Sequence, residues 1–407
     1  MLNSKYIREN KDLIKRKLED RGSNFDLNSF LAKEESRKKL LAEVENLKFQ
    51  KKEYSSPATL DREKAKEISN VLKGKELKLR EMTEESHNLT LNIPNLCDDD
   101  VPVGSKEGDN VILRSWGEKP KFNKTPEDHH TIGERLGLLD FKRAVKISGA
   151  RFALTKGLGA KLERALAAFM LDFHSKEGYE EISVPYLVKE KAMYNSGQLP
   201  KFKDDAFSTL NGMYLIPTSE VSLINMHADE VLSDEALPLS YTALTPNFRQ
   251  EAGSYGKDTK GLIRLHQFNK VELVKIVRPE KSGEALKKLL DDAENILRKL
   301  GLHYRVVLKC TGDTGFHATK TYDLEVWFPG MERYVEVSSC SNTKDFQSRR
   351  AHIKYKDGQT NKNEYVHILN GTGVAIGRIL AAILENYQGD DGGINIPEIL
   401  SSYIKEF

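Results

Sequence analysis

The sequence predicts an α+β protein: an antiparallel β-sheet flanked by helices, preceded by an antiparallel helical hairpin. Three observations carry that prediction. Residues 27–93 place apolar residues at three- and four-residue steps among many Lys, Arg and Glu, the narrow stripe of paired helices. Several later runs alternate with a period of two, as antiparallel strands with one packed face do. Between those runs lie amphipathic helical stretches rather than repeats or low-complexity sequence.

The hairpin comes first. Phe30, Leu40, Leu41, Val44 and Leu47 mark one helix, and Ile68, Val71, Leu72, Leu79 and Met82 mark the other. Ser55-Ser56-Pro57-Ala58 reads as the turn, with Pro57 ending the first helix. Helices of about 30 residues reach about 45 Å at 1.5 Å per residue. So narrow a stripe makes no globular core, and the pair is expected to stand out as an arm. A dimerising or spacer coiled coil would show the same pattern. Arg37, Lys38, Lys39, Lys48, Lys51 and Lys52 favour a grip on nucleic acid, since Lys and Arg hold phosphates. Interleaved acidic residues leave that choice open.

Residues 94–110, with Pro94, the acidic run 98–100, Pro102 and Gly104, read as a linker, and the domains are set at 1–103 and 104–407. Beyond it, residues 162–171 read as a buried helix. Residues 182–188, 271–277, 305–308, 321–327 and 334–338 read as strands.

Composition excludes more than it assigns. Hydrophobic residues are 39% and charged residues 30% of the 407, which suits a soluble protein with one unusually polar segment. The opening MLNSKYIREN turns charged at Lys5, so it offers no signal-peptide core. No apolar run approaches the roughly 18 residues of a membrane span. Cys97, Cys310 and Cys340 are far apart and form no CxxC pair, which disfavours a disulfide framework or structural zinc and suits a reducing cytoplasm. The net charge of +2 and pI of about 8.1 do not by themselves point to nucleic acid.

Four clusters carry chemistry. Asn247-Phe248-Arg249-Gln250-Glu251 leads into a glycine-rich stretch, and a returning strand carries Arg264, His266 and Phe268. Such a hairpin aims a planar guanidinium at phosphate and a ring at a purine, although an ordinary surface hairpin looks the same. Glu272 lies on the face of Val274 and Ile276, where a carboxylate needs a salt bridge or a ligand. Alternation puts Tyr334, Glu336 and Ser338 on one face, and oxygen donors at a strand end suit Mg²⁺. The run 366–378 reads as a strand, a Gly turn through Gly371 and Gly373, and a helix whose core stripe is Ile376, Ile379, Leu380, Ile383 and Leu384, with Arg378 opposite. Too few residues follow for a dinucleotide-binding fold.

In this order the clusters resemble class II aminoacyl-tRNA synthetases, and the similarity to the seryl-specific family spans nearly the whole chain. It covers Ile7-Arg8-Glu9-Asn10 and the hairpin, Gly133-Glu134, Leu138-Leu139-Asp140-Phe141, and Arg151-Phe152. Gly178-Tyr179 through Pro185 is similar to motif 1, the family's homodimer segment. Phe248 through Phe268 is similar to motif 2, and Gly371 through Arg378 to motif 3. Thr218-Ser219-Glu220 resembles the serine-binding element. Thr311-Gly-Asp313, Tyr322 through Trp327, and Ser339 through Arg350 match as well.

The resemblance implies a serine–tRNA ligase using ATP and Mg²⁺, with L-serine and tRNA(Ser) as substrates, tRNA(Sec) where present, and neither DNA nor membrane as partner. ATP would be held by Arg249, Gln250, Glu251, Leu265, Phe268, the strand Glu336-Val337-Ser338-Ser339, and Arg378. Arg249 would grip the α-phosphate and the serine carboxylate, Phe268 would stack on adenine, and Arg378 would clamp the γ-phosphate. Arg249, Glu251, Glu336 and Arg378 would form the catalytic set, and Glu336 and Ser339 would ligate Mg²⁺. Thr218, Ser219, Glu220, Arg249, Glu272, Asn370 and Thr372 would line the serine pocket. The family usually has Ser at the position of Thr372, whose extra methyl narrows the pocket. Arg37, Lys38, Lys48, Lys51 and Lys52 would face tRNA. A carrier-protein aminoacylating relative would lack the arm, a non-catalytic coiled-coil protein would lack the arginines and glutamates, and the zinc-dependent form would need a Cys/His cluster.

Overall fold

The computed structural model describes residues 1–56, 60–252 and 260–405. The chain divides into two compact units, Met1–Pro94 and Asn95–Phe407.

In the first unit, helices Ser4–Glu9 and Lys11–Asp20 precede two long helices, Leu27–Tyr54 and Arg62–Thr90, of 28 and 29 residues. Each long helix starts on an aspartate: Asp26 accepts from the Ser29 N–H, and Asp61 from the Lys64 N–H. Phe30, Leu40, Val44 and Leu72 form the buried stripe, with Leu41, Leu47, Ile68, Leu79 and Met82 half-buried. Val71 does not join them and is 47% exposed. Adjacent helical residues point about 100° apart at 3.6 per turn, so Leu72 takes the seam and Val71 faces water. The expected turn at Pro57-Ala58 lies outside the described residues.

Among its described residues the second unit has thirteen strands. In chain order they are β1 (Val111–Trp116), β2 (Glu180–Glu181), β3 (Leu187–Lys189), β4 (Met213–Leu215), β5 (Val231–Ser233), β6 (Leu239–Phe248), β7 (Gln267–Val277), β8 (Tyr304–Leu308), β9 (Lys320–Phe328), β10 (Arg333–Lys344), β11 (Lys354–Lys356), β12 (Asn363–Tyr365) and β13 (His367–Ala375). The main sheet has eight strands in the order β1-β8-β9-β10-β13-β7-β6-β2. All its pairings are antiparallel except β2 with β6.

Two sequence expectations change here. The expected strand 182–188 largely does not form: β2 ends before it, at Glu181, and β3 takes in only its last two residues, with Pro185, which has no N–H to give a ladder, between them. The expected Gly turn in 366–378 is part of β13, which continues through Gly371 and Gly373 with a register shift against β7 between Thr372 and Val374. Those glycines serve close packing instead. A Cβ on Gly371 would meet Leu289 Cδ2 at 3.0 Å, and one on Gly373 would meet His174 Nε2 at 2.8 Å.

Helices Leu158–Lys176, Ser282–Lys299 and Ile376–Asn386 cover one face of the sheet. Leu166, Leu289, Ile296, Val271, Leu273 and Ile379 belong to that core. All five stripe residues expected on the last helix are buried. On the opposite face, Val274, Ile276, Ala243 and Ile368 pack under the Glu220–Asn225 helix region, while the sheet beyond them stays open. That open stretch is where the polar residues gather.

Candidate active site

A cleft of about 380 Å³ opens over β7, β13 and β10. Its floor follows from strand alternation. Phe268, Lys270 and Glu272 on β7 and Asn370 and Thr372 on β13 face it, and Glu272 is directly paired with Thr372 across the ladder.

On β10 simple alternation fails. The ladder with β9 slips between Glu336 and Ser338, a β-bulge centred on Val337. One extra residue reverses the faces beyond it. Glu336 and Ser339 therefore line the cleft together. Ser338 turns away, donating to the Thr372 carbonyl at 2.5 Å, so the expected Tyr334–Glu336–Ser338 face is overturned.

Arg249 leaves the end of β6. Its Nε donates to the Pro217 carbonyl at 3.4 Å, and its guanidinium lies 5.3 Å from the Phe268 ring centre. Arg378 reaches the cleft from the helix after β13. Its Nε donates to the Ile263 carbonyl at 3.1 Å and its Nη1 to the Glu336 carbonyl at 2.6 Å, with the Glu336 carboxylate 3.7 Å away. These bonds fix one side of each planar fork and leave the remaining donors for a ligand. Glu251 is held by Arg264 at 2.5 Å. Leu265 and Val337 complete the wall. Gln250 is spent elsewhere, donating to the Ala206 carbonyl at 3.1 Å, and Ser219 is buried outside the lining. Residues 253–259 lie outside the described residues.

The far end of the cleft holds two buried carboxylates. One Glu220 oxygen accepts from Gln347 at 2.6 Å and from Asn370 at 2.7 Å. Burial pushes the Glu220 carboxyl up, while Gln347, Lys270, Asn370 and Arg249 pull it down. Glu272 is paired with Lys270 at 2.5 Å, and Lys270 also donates to the Thr218 hydroxyl at 3.0 Å. Burial pushes Glu272 up to about 7, against the pull of Lys270. Glu272 thus has the salt bridge that was one of its two alternatives, and it also faces the cleft.

Sequence reasoning passed over Lys270 and assigned Gln347 no role. Lys270 was legible, because it sits two residues before Glu272 on the same strand face. Gln347 was not, because it lies 127 residues from the carboxylate it holds. Behind Glu336, Lys309 pairs with Asp313 at 3.0 Å and Asp323 at 3.1 Å. Burial and then Glu336 push Asp323 up to about 7.

In the first unit, Arg37 is committed to buried Glu34, at 2.7 and 3.1 Å. Lys48 pairs with Glu76 at 2.9 Å, Lys51 donates to Ser69 at 3.0 Å, and Lys38 and Lys52 are exposed.

A cleft that joins two arginines and a metal-suited glutamate to a closed acidic pocket, on an antiparallel sheet, has the layout of a class II aminoacyl-tRNA synthetase. Residues 202–387 match the tRNA synthetase class II core domain (G, H, P, S and T), and residues 1–97 match the seryl-tRNA synthetase N-terminal domain. The chain is 50% identical to a serine–tRNA ligase of Geobacter sulfurreducens, covering 99% of this chain and 98% of that one. It is 48% identical to one of Desulfotalea psychrophila, covering 100% and 99%. Among solved structures, seryl-tRNA synthetase from Pyrococcus horikoshii complexed with ATP superposes with a TM-score of 0.94 at 36% identity, covering 100% of this chain and 98% of that one. The chain belongs to the seryl-tRNA synthetase family.

Proposed function

We propose that the cleft carries out the serine–tRNA ligase reaction in two steps, with ATP spanning Arg249, Glu336 and Arg378 and serine lying against Glu272. The observation that carries this reading is the convergence of those four residues, with Thr218, Glu220 and Thr372, on one cleft. The ATP in the Pyrococcus relative and the AMP in a cytoplasmic serine–tRNA ligase of Naegleria fowleri, 30% identical with a TM-score of 0.88 over 98% of this chain and 95% of that one, support it.

In the first step the serine carboxylate attacks the α-phosphate in line and pyrophosphate leaves. Little acid–base chemistry is needed. Arg249 orients carboxylate and phosphate, Arg378 holds the far end of the triphosphate, and Phe268 stacks on adenine. Glu336 and Ser339 offer hard oxygen donors on one face, backed by Asp323, one of whose oxygens is buried without a hydrogen bond. That set fits Mg²⁺, which Glu336 and Ser339 would hold and which would add charge neutralisation. In the second step the terminal 3′-hydroxyl of tRNA attacks the adenylate carbonyl and AMP leaves. Alanine is rejected because polar groups meant for a hydroxyl would be left unpaired.

The unit comprising residues 1–94 would bind tRNA(Ser) by shape through its long helices, and tRNA(Sec) where its extra arm is equally long. A homodimer through residues 178–185 is part of the same proposal, supported by the edge position of β2 in the main sheet. A cytoplasmic location follows from the tRNA substrate. ATP–pyrophosphate exchange measured with each of the twenty amino acids tests the assignment. Serine alone should support rapid exchange, and Glu272→Ala should lower it by orders of magnitude. Near-normal exchange by that variant would show that Glu272 does not bind serine.

A further inference from the structure

We propose that Lys270 is the positioning residue of the serine pocket: its ammonium keeps Glu272 ionised as an acceptor for the substrate hydroxyl and fixes the orientation of the Thr218 hydroxyl. The inference rests on the reading of Glu272 as the contact for that hydroxyl.

The geometry is specific. Lys270 and Glu272 lie two apart on the same face of β7, with side chains 7% and 3% exposed and 2.5 Å between Nζ and Oε2. The same Nζ donates to Thr218 Oγ1 at 3.0 Å. One cation thus ties a strand of the cleft floor to the segment that enters the Glu220–Asn225 helix. The buried charges balance only with Lys270 present. Glu272 is faced by Lys270 from its own strand, Glu220 from that helix, and Arg249 from the end of β6, while the Cys340 thiol of β10 is turned to the Leu289 carbonyl on the other side of the sheet. Thr372 beside it on β13 is neutral.

Two carboxylates therefore face two cations, and Arg249 is claimed by the substrate carboxylate and the α-phosphate. Serine leaves the net charge of the pocket unchanged, because the carboxylate that takes up Arg249 comes with one ammonium. Without Lys270, Glu272 would take up a proton from water and become a poorer acceptor for the substrate O–H. A buried carboxylate that loses its cation shifts by roughly 1–3 pH units, or roughly tenfold to a thousandfold in ionised fraction. Burial already sets Glu272 at about 7 with Lys270 in place, so the change falls within the working range of the assay.

The test is the serine KM in pyrophosphate exchange between pH 6 and 9 for wild type, Lys270→Met, Lys270→Arg and Glu272→Gln. Taking each variant as a ratio to wild type removes titration of free serine. Lys270→Met should raise the serine KM at pH 7 roughly tenfold or more, with the ratio shrinking toward pH 9. Lys270→Arg keeps the charge and should follow the wild-type profile, so the proposal can be judged even if the methionine variant misfolds. A Lys270→Met ratio that stays constant with pH, or an arginine variant displaced toward high pH, would overturn the proposal. A Glu272→Gln enzyme with a wild-type serine KM would instead overturn the underlying reading of Glu272.

Discussion

At the scale of single residues, the cleft separates two electrostatic tasks. In the proposed reading Arg249 and Arg378 would meet phosphate, and Glu220 and Glu272 would meet an uncharged hydroxyl and an ammonium. Both glutamates are buried, with carboxyls raised by desolvation. For Glu272 the raised value of about 7 gives a direct prediction in the wild-type enzyme. Below that value the carboxyl is protonated and poorer as an acceptor. The serine KM in pyrophosphate exchange should therefore rise as pH falls from 8 to 6, and Glu272→Gln should abolish that dependence. A serine KM that is flat over this range would contradict the role given to ionised Glu272. Much of this set was legible in the sequence: Arg249, Glu272, Thr372 and Arg378 all line the cleft. The Gln347 bond to Glu220 was not, because nothing local in either segment encodes a pairing across 127 residues.

At the scale of elements, alternation held along β7 and periodicity held for the helix Ile376–Asn386, while in the regular helix Arg62–Thr90 it missed at Val71. Alternation failed where the backbone was irregular. The bulge at Val337 reverses the faces of β10, and no residue type there announces an insertion in the ladder. Alternation alone therefore paired Glu336 with Ser338, and the bulge pairs it with Ser339. The glycines of β13 misled in another way, since Gly marks turns but also marks strands that another group approaches closely. Gly373 is the second case. Its absent Cβ would sit 2.8 Å from His174 Nε2 and 3.3 Å from Val271 Cγ1. Burial holds His174 down to about 4, so it stays a neutral, enclosed ring at assay pH. Gly373→Ala should destabilise the protein by about 1–3 kcal/mol, the usual cost of overpacking a filled core. Urea denaturation checks this as a lower midpoint at unchanged slope. An unchanged midpoint would mean that β13 yields without cost.

At the scale of the whole molecule, the chain forms two compact units. The residues that line the cleft all belong to the second, where sheet register and core helices hold them. The long helices of the first carry a stripe that seals one helix against the other, with exposed lysines outside it. Charge pattern could not distinguish a tRNA grip from a spacer, because most basic residues have acidic neighbours. Lys48 with Glu76 and Arg37 with Glu34 show how much of that charge is satisfied within the arm. The account therefore assigns adenylate formation to the cleft alone and gives the arm its part only when tRNA is present. Removing residues 30–90 and joining the flanking chain, then measuring serine-dependent pyrophosphate exchange and tRNA charging on the same preparation, tests that division most directly. Exchange should persist near the full-length rate while charging is lost; equal loss of both, from a protein that still binds ATP, would contradict it.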